Sequence, residues 1–333
     1  MSAPLATTTG AAFARIMSVA SYRPERVVTN AEICERIDSS DEWIRERSGI
    51  IERRWARPDE SVVDMGREAS IMALARAGVD PTQIDMVLTA TVTHPYQTPS
   101  AAAVLSHHIG AVNAAAMDIS AACAGFCYGI GLASDMIRAG SARHVLVVGV
   151  EKLSEWVNLD DRSSAFLFAD GAGAVVVGPS DVNGIGPVVW GADGSQNEAI
   201  TMSQSLIDFR DQGGDFPTLV MHGQQVFRWA VSEIAKVCHR ALEAAGVTAE
   251  DLDAFIPHQA NNRITDAMIK AMGLPASIPV ARDIQFTGNT SAASIPLAMD
   301  RMLATGEAPH GGTALIVGFG AGLVYAAQVV TLP

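Results

Sequence analysis

Lysine is nearly missing from this chain of 333 residues: Lys152, Lys236 and Lys270 are all it has. Arginine carries most of the positive charge, and 23 basic against 36 acidic residues leave a formal net charge of −13. That balance repels a phosphate backbone and argues against nucleic acid as a general partner, so any cationic docking spot must be local. Cysteine is scarce too. Cys34, Cys123, Cys127 and Cys238 are too few and too scattered for a disulfide framework, and a reduced, cytoplasmic setting fits better. There is no CxxC, no HExxH and no paired His/Cys spacing, which argues against a metal site. No apolar run reaches the roughly 18 residues that a membrane span needs. The opening "MSAPLATTTGAAFARIMSV" lacks a charged segment followed by an apolar one, so no secretory signal is read; its Ala- and Thr-rich, charge-poor composition leaves a trimmed transit segment open.

What the chain has in quantity is apolar surface. With 49% hydrophobic and 18% charged residues it can bury a large core, as two ordinary domains or one double-sized unit. It also repeats itself. "ALARAGVDPTQIDMVL" (73–88) matches "ALEAAGVTAEDLDAFI" (241–256) at a constant offset of 168, pairing for example Gly78 with Gly246 and Asp85 with Asp253. Each copy predicts a helix stopped by Gly, a short turn and an apolar strand. "HVLVVGV" (144–150) and "TALIVGF" (313–319) repeat at nearly the same offset and read as buried strands. Helix–Gly–strand units look alike in many α/β proteins. An offset of half the chain length points further, to two duplicated α/β halves packed as one body. Strands alternating with helices favour mainly parallel sheets. The Gly-rich stretch 168–187 places the junction near 180, giving halves 1–180 and 181–333, and "IDFRDQGGDFPT" (207–218) reads as a surface excursion.

In open parallel sheets ligands gather at the carboxyl ends of strands. Three segments follow expected strands in that manner: Cys123 in "DISAACAGFCYG" (118–129), His258 in "FIPHQANNRI" (255–264), and Asn289 in "QFTGNTSAAS" (285–294) after "IPVARDIQ". A thiol at a helix start meets partial positive charge and unpaired N–H groups, which depress its pKa. Ala121, Ala122, Ala124 and Gly125 leave room for a substrate carbonyl, whose oxyanion the Cys123 N–H can face. Cys34, Cys127 and Cys238 read as packing residues. His258 could be a base, as in a hydrolase, or a neutral donor to an oxyanion. Asn289 offers an amide N–H, although an Asn after Gly is often only a turn residue.

Together "DSSDEWIRERSGI" (38–50), "AACAGF" (121–126), "PHQANNRI" (257–264) and "GNTSAAS" (288–294) resemble β-ketoacyl-acyl-carrier-protein synthase III, a member of the thiolase superfamily, over about Arg15 to Pro333. The resemblance implies a thiolase-like, five-layered αβαβα body, usually a homodimer. It implies that Cys123 takes an acyl group from acyl-CoA, and that malonyl-acyl carrier protein then loses CO2 while His258 and Asn289 donate to its thioester oxygen. The carbanion attacks the acyl-Cys123 carbonyl and a 3-ketoacyl product forms. No metal or organic cofactor is implied, since loss of CO2 drives the condensation. A related synthase with two His would differ at Asn289. The backbone N–H groups of Cys123 and of Ala321, in "GFGAG" (318–322), would hold the oxyanion; many members carry Gly at the latter place, and a position needing φ > 0 would suit Ala poorly.

The same resemblance places Trp43 and Arg162 around the adenine of CoA, with Arg47 nearby, and Gln224, Phe227 and Asn261 along the pantetheine arm, Gln224 departing from a frequent Asn. Arg228, Arg263 and Lys270 fall where the family docks its acidic acyl carrier protein. Thr98, in "THPYQTPSAA" (93–102), aligns with a Phe frequent in acetyl-preferring members, on a loop two residues longer, and implies short or branched acyl primers beside acetyl. Four alternatives stand. One is a starter-unit priming ketosynthase of a polyketide pathway, with the same chemistry. Hydroxymethylglutaryl-CoA synthase or thiolase is a second, which the paired "GNTSAAS" and "PHQANNRI" motifs speak against. The others are a thioester hydrolase with His258 as base, and a non-catalytic acyl-CoA-binding protein, which would be expected to lack Cys, His or Asn.

Overall fold

The computed structural model of the chain describes residues 5–333. Its apolar runs form two mixed sheets. The first holds β1 (Phe13–Tyr22), β2 (Met86–Ala90), β3 (Ala115–Ile119), β4 (Val145–Lys152) and β5 (Asp170–Ser180), in the order β1-β5-β4-β2-β3. The second holds β6 (Val189–Ala192), β7 (Ala254–Pro257), β8 (Thr313–Gly320) and β9 (Val324–Thr331), in the order β7-β8-β9-β6. Val280 adds one parallel bridge to Phe255 beside β7, where β3 stands in the first sheet. β4 is buried along its whole length, covered on both faces, which is why it reads as a continuous apolar run instead of an alternating one.

The two sheets run alike. β2–β4 and β7–β8 are parallel, whereas β4–β5, β8–β9, β5–β1 and β9–β6 are antiparallel. The expectation of mainly parallel sheets is therefore corrected. The turn 321–323 between β8 and β9 is far too short for the dozen or more residues of a parallel crossover.

Helices make the remaining layers. α1 (Val62–Ala77) and α2 (Ala101–His108) cover the outside of the first sheet; α3 (Gly125–Ala139) lies between the sheets; α4 (Gly223–Ala245) and α5 (Asn262–Met272) cover the second; α6 (Ser294–Thr305) joins α3 in the middle. The result is the αβαβα layering, with Phe126, Ile130, Ile256 and Met299 in the central core. α1 and α4 both stop at a Gly in the left-handed conformation, Gly78 and Gly246, whose N–H groups donate to the last carbonyls of each helix.

"IPVARDIQ" does not form a strand. Beyond the bridge at Val280 the chain turns away, because Asp283 is buried between Arg23 (3.1 Å) and Arg301 (2.7 Å) and leads into a helical turn, Ile284–Thr287. The 207–218 excursion is mostly exposed, and its first residues belong to a short helix, Leu206–Gln212. No helix among the described residues is long and apolar enough to cross a membrane.

Candidate active site

Cys123 follows β3 in a tight 3-10 turn, Ala122–Ala124, that runs directly into α3. Ala122 takes φ 44°, a left-handed conformation costly for a residue with a Cβ, and this sharp elbow directs the next side chain into the interior. His258 comes one residue after β7, its N–H donating to the Val317 carbonyl at 2.7 Å. Asn289 is pinned by its backbone: its N–H donates to Leu167 (2.8 Å) and its carbonyl accepts from Ala169 (2.9 Å). Cys123, His258, Asn289 and Ala321 line one cavity of about 730 Å3. Residues from both halves of the chain thus meet in a single space.

The polar atoms around this cavity are arranged for donation. Nδ1 of His258 lies 2.7 Å from the Ser294 hydroxyl, which also accepts the Gln259 N–H. A Ser294 hydroxyl that donates to Nδ1 leaves the proton on Nε2. Burial pushes the imidazole down to about 3, so the ring is neutral. Phe319 packs edge-on against the ring at 5.4 Å. Oδ1 of Asn289 accepts the Ser291 N–H at 2.9 Å, which leaves its amide N–H2 for the cavity. Ala321 does not occupy a position that needs φ > 0. The left-handed φ in this turn belongs to Gly322, at 136°, and Ala321 keeps a negative φ.

Cys123 behaves differently from expectation. It is only partly covered, opening into the cavity, yet its thiol is pushed up to about 12 instead of being depressed. Loss of hydration is the main cause; the Ser291 hydroxyl pulls down, the nearby Glu151 pushes up, and the backbone N–H pulls down weakly. Dehydration of a sulfur anion outweighs the partial charge of a helix start.

Two residues here escape a motif-based reading. Glu151 is fully buried at the end of β4 and accepts from Thr93 Oγ1 (2.6 Å), Val92 N–H (3.1 Å), Thr91 Oγ1 (3.2 Å) and Ser291 Oγ (3.1 Å). Burial raises its carboxyl to about 7. Ser291 takes φ 48° and lines the cavity beside Cys123. A carboxylate closing the apolar run "HVLVVGVE" is the signal that could have drawn attention to the pair.

The outer residues divide. Trp43, Arg47, Gln224, Phe227 and Asn261 all line the cavity, as do Arg228 and Arg263. The Arg162 guanidinium rests 4.7 Å above the Trp43 ring and Arg47 5.8 Å from it, so a base sandwiched there would have to displace Arg162. Asn261 caps α5, accepting the Arg263 N–H (2.8 Å) and donating to the Arg47 carbonyl (2.9 Å), which ties the two sides of the mouth together. Arg263 covers the Phe227 ring at 5.4 Å. Lys270 lies apart, exposed in the last turn of α5 and outside the cavity wall. Thr98 is also apart. The loop after β2 runs outward, leaving Thr98 exposed, and within this chain Val92 of that loop touches the cavity instead.

Comparison with known proteins agrees over nearly the whole chain. Residues 117–194 match the family described as 3-oxoacyl-[acyl-carrier-protein (ACP)] synthase III, and residues 242–332 match its C-terminal family. The chain is 59% identical over 325 residues to the β-ketoacyl-[acyl-carrier-protein] synthase III of Streptomyces glaucescens, covering 97% of this chain and 98% of that protein. Among solved structures, the priming β-ketosynthase from the R1128 polyketide biosynthetic pathway superposes with a TM-score of 0.96 at 49% identity, covering 99% of both chains. The 3-oxoacyl-[acyl-carrier-protein] synthase III of Aquifex aeolicus superposes at 0.88 with 38% identity, over 96% of this chain and 99% of that one.

Proposed function

The chain belongs to the β-ketoacyl-[acyl-carrier-protein] synthase III family of the thiolase superfamily, and from that premise we infer how its site works. It is an acyltransferase that condenses a short acyl group, delivered by acyl-CoA, with malonyl-acyl carrier protein to give 3-ketoacyl-acyl carrier protein. Cys123 attacks the acyl-CoA carbonyl and CoA leaves as the thiol. The malonyl thioester then enters and loses CO2, and the negative charge that builds on its carbonyl oxygen is met by His258 Nε2–H and Asn289 Nδ2–H. The carbanion attacks the acyl-Cys123 carbonyl, with the Cys123 and Ala321 N–H groups holding the oxyanion. The observation that carries this reading is that two buried neutral donors, each with its other polar atom engaged, share one cavity with one thiol. Fixed dipoles in a dry site stabilise a developing anion without reorganising.

The hydrolase alternative fits poorly. A base needs a pKa near working pH, whereas burial holds His258 near 3 and its Nδ1 partner is a hydroxyl instead of a carboxylate. Priming of a polyketide pathway is a second reading of the same chemistry, supported by the likeness to the R1128 priming ketosynthase. Trp43, Arg47 and Arg162 would hold the nucleotide end of CoA, and Gln224, Phe227 and Asn261 the pantetheine. Arg228 and Arg263, at the mouth, suit an acidic carrier protein better than the remote Lys270. A homodimer across the open edge of β3, where Met117 is 38% exposed, would cover an unpaired strand, and the Thr98 loop leads into α2 beside that edge. The four free thiols are in keeping with a cytoplasmic setting.

The test is intact-protein mass after mixing with acetyl-CoA or isobutyryl-CoA. The expected result is an acyl increment, absent in Cys123→Ala, that malonyl-acyl carrier protein discharges as a 3-ketoacyl product. An adduct lost to water alone would favour the hydrolase.

A further inference from the structure

The acylation step needs a group that takes the Cys123 proton and passes it to the departing CoA sulfur. Cys123 holds its proton tightly, and the nearby imidazole is buried, neutral and resistant to protonation. Glu151 has no part in the scheme above, yet it is a fully buried carboxyl close enough to raise the thiol. Between them stands Ser291. Its hydroxyl donates to Glu151 Oε1 at 3.1 Å, and it lines the cavity beside the Cys123 thiol, whose pKa it pulls down.

We propose that Glu151 is the proton acceptor for Cys123 during acylation, acting through the Ser291 hydroxyl. The inference rests on the synthase reading and names a residue that reading does not use. As Cys123 sulfur attacks the acyl-CoA carbonyl, its S–H proton passes to Ser291 Oγ while the Ser291 O–H proton passes to Glu151 Oε1. The carbon–sulfur bond to CoA breaks, and the proton returns by the same hydroxyl to the departing CoA sulfur. Acylation then moves no net charge in or out of the cavity. After the shift, the Ser291 O–H points at the new thiolate and stabilises it.

The surroundings favour this use of the carboxyl. The groups facing Glu151 are Thr91, Thr93 and the Val92 N–H after β2, and Ser291 before α6, with the Cys123 thiol beyond it. Gly171, opposite it on β5, offers no side chain, while Lys152, the next residue on β4, is tied to the Arg57 carbonyl and to Glu155. No cation is thus seen to hold Glu151 ionised among these neighbours, and its pull toward about 7 leaves it basic enough to accept a proton. Ser291 sits in a left-handed backbone conformation of the kind found at functional sites, and its hydroxyl is held by the bond to Glu151.

The experiment follows alkylation of Cys123 by iodoacetamide, by intact mass, from pH 5.5 to 9.5. Glu151→Gln, Ser291→Ala and Glu151→Asp are compared with the unmodified chain, with circular dichroism as the check on folding. Glu151→Gln and Ser291→Ala are expected to slow alkylation at pH 7.5 by roughly 10- to 100-fold, somewhat below the usual range for general bases. Both should abolish an inflection near pH 7 that the unmodified chain and Glu151→Asp retain, and the double variant should be no slower than either single one. Faster alkylation in Glu151→Gln would overturn the proposal, since Glu151 would then be only a charge that keeps the thiol protonated. If the variants do not fold, an unmodified profile without an inflection near pH 7 overturns it equally. Because iodoacetamide needs no acyl-CoA, the expected profile without any acyl adduct would sink the synthase reading, and the acylation step with it, while leaving Glu151 as the proton acceptor of the Cys123 thiol.

Discussion

Gly320 and Cys123 are packed so closely that a Cβ on Gly320 would stand 2.9 Å from both the Cβ and the Sγ of Cys123. Gly318 is pressed in the same way on the Cys123 carbonyl, at 2.8 Å. The Gly-rich run that ends β8 therefore exists for space: the backbone of one half must lie against the elbow of the other. Gly320→Ala is expected to push the thiol out of line, reducing acyl-adduct formation at least about tenfold and costing on the order of 1–3 kcal/mol of stability by overpacking. Adduct mass and chemical denaturation measure the two effects. Full acylation in a stably folded Gly320→Ala chain would show that the elbow tolerates a displaced strand.

His258 and Cys123 act at different steps in the proposed scheme, so their variants separate. His258→Ala is expected to keep acylation of Cys123 within a few-fold while slowing malonyl decarboxylation by roughly 10²–10³-fold, the usual loss for one oxyanion donor. The imidazole is held near 3, so it stays neutral throughout pH 5–8 and the decarboxylation rate should show no histidine inflection there. An inflection near 6.5 that vanishes in His258→Ala would mean the ring titrates in place and serves as a base.

How much of this was legible in the residues depends on whether a feature is local. The helices ending at Gly78 and Gly246 carry their stop signals in sequence, and the offset of 168 follows a real equivalence: the two sheets share one strand order. The elbow before Cys123 repeats as well. Ala122 and Ser291 are the two non-glycine residues with positive φ among the described residues, 169 positions apart, and only one elbow is followed by Cys. Neither signal is local, because neither Ala nor Ser announces a left-handed backbone. Antiparallel pairing is hidden for a similar reason, since strands alternating with helices do not reveal which strands become neighbours. The helix start is a local signal for the Cys123 pKa, whereas the dehydration that outweighs it depends on β8 arriving from the other half.

At the outer end of the cavity, Trp43 and Arg162 are already stacked, so a nucleotide held there as proposed would exchange one cation–π contact for a base between two planes. Trp43→Ala is expected to raise KM for acyl-CoA roughly 5- to 30-fold at nearly constant kcat, in line with about 1–2 kcal/mol for such stacking. The same variant should handle acyl-pantetheine, which lacks the nucleotide, as the unmodified chain does. Equal losses with both substrates would place Trp43 in the packing around Phe166, 5.4 Å away, and remove it from the nucleotide site.

Glu151 also makes a prediction about stability that is independent of catalysis. Its carboxyl is raised from 4.5 to about 7 by burial, so the folded chain binds that proton more tightly than the unfolded one. The stabilising contribution is complete below about 4.5 and is lost as pH rises through 7, where a charge must be kept in a dry interior. Asp170, raised to about 6, has the same sign, whereas His258, lowered to about 3, has the opposite sign below 6.5; both remain in either chain and cancel in a comparison. Glu151→Gln removes the Glu151 term alone. Its stability relative to the unmodified chain should therefore increase between pH 5 and pH 8.5, by up to a few kcal/mol at about 1.4 kcal/mol per pKa unit. Urea denaturation at the two pH values measures the difference. A fixed offset would cancel, so only the change with pH counts, and a flat difference would mean that Glu151 ionises in the folded chain as easily as in water.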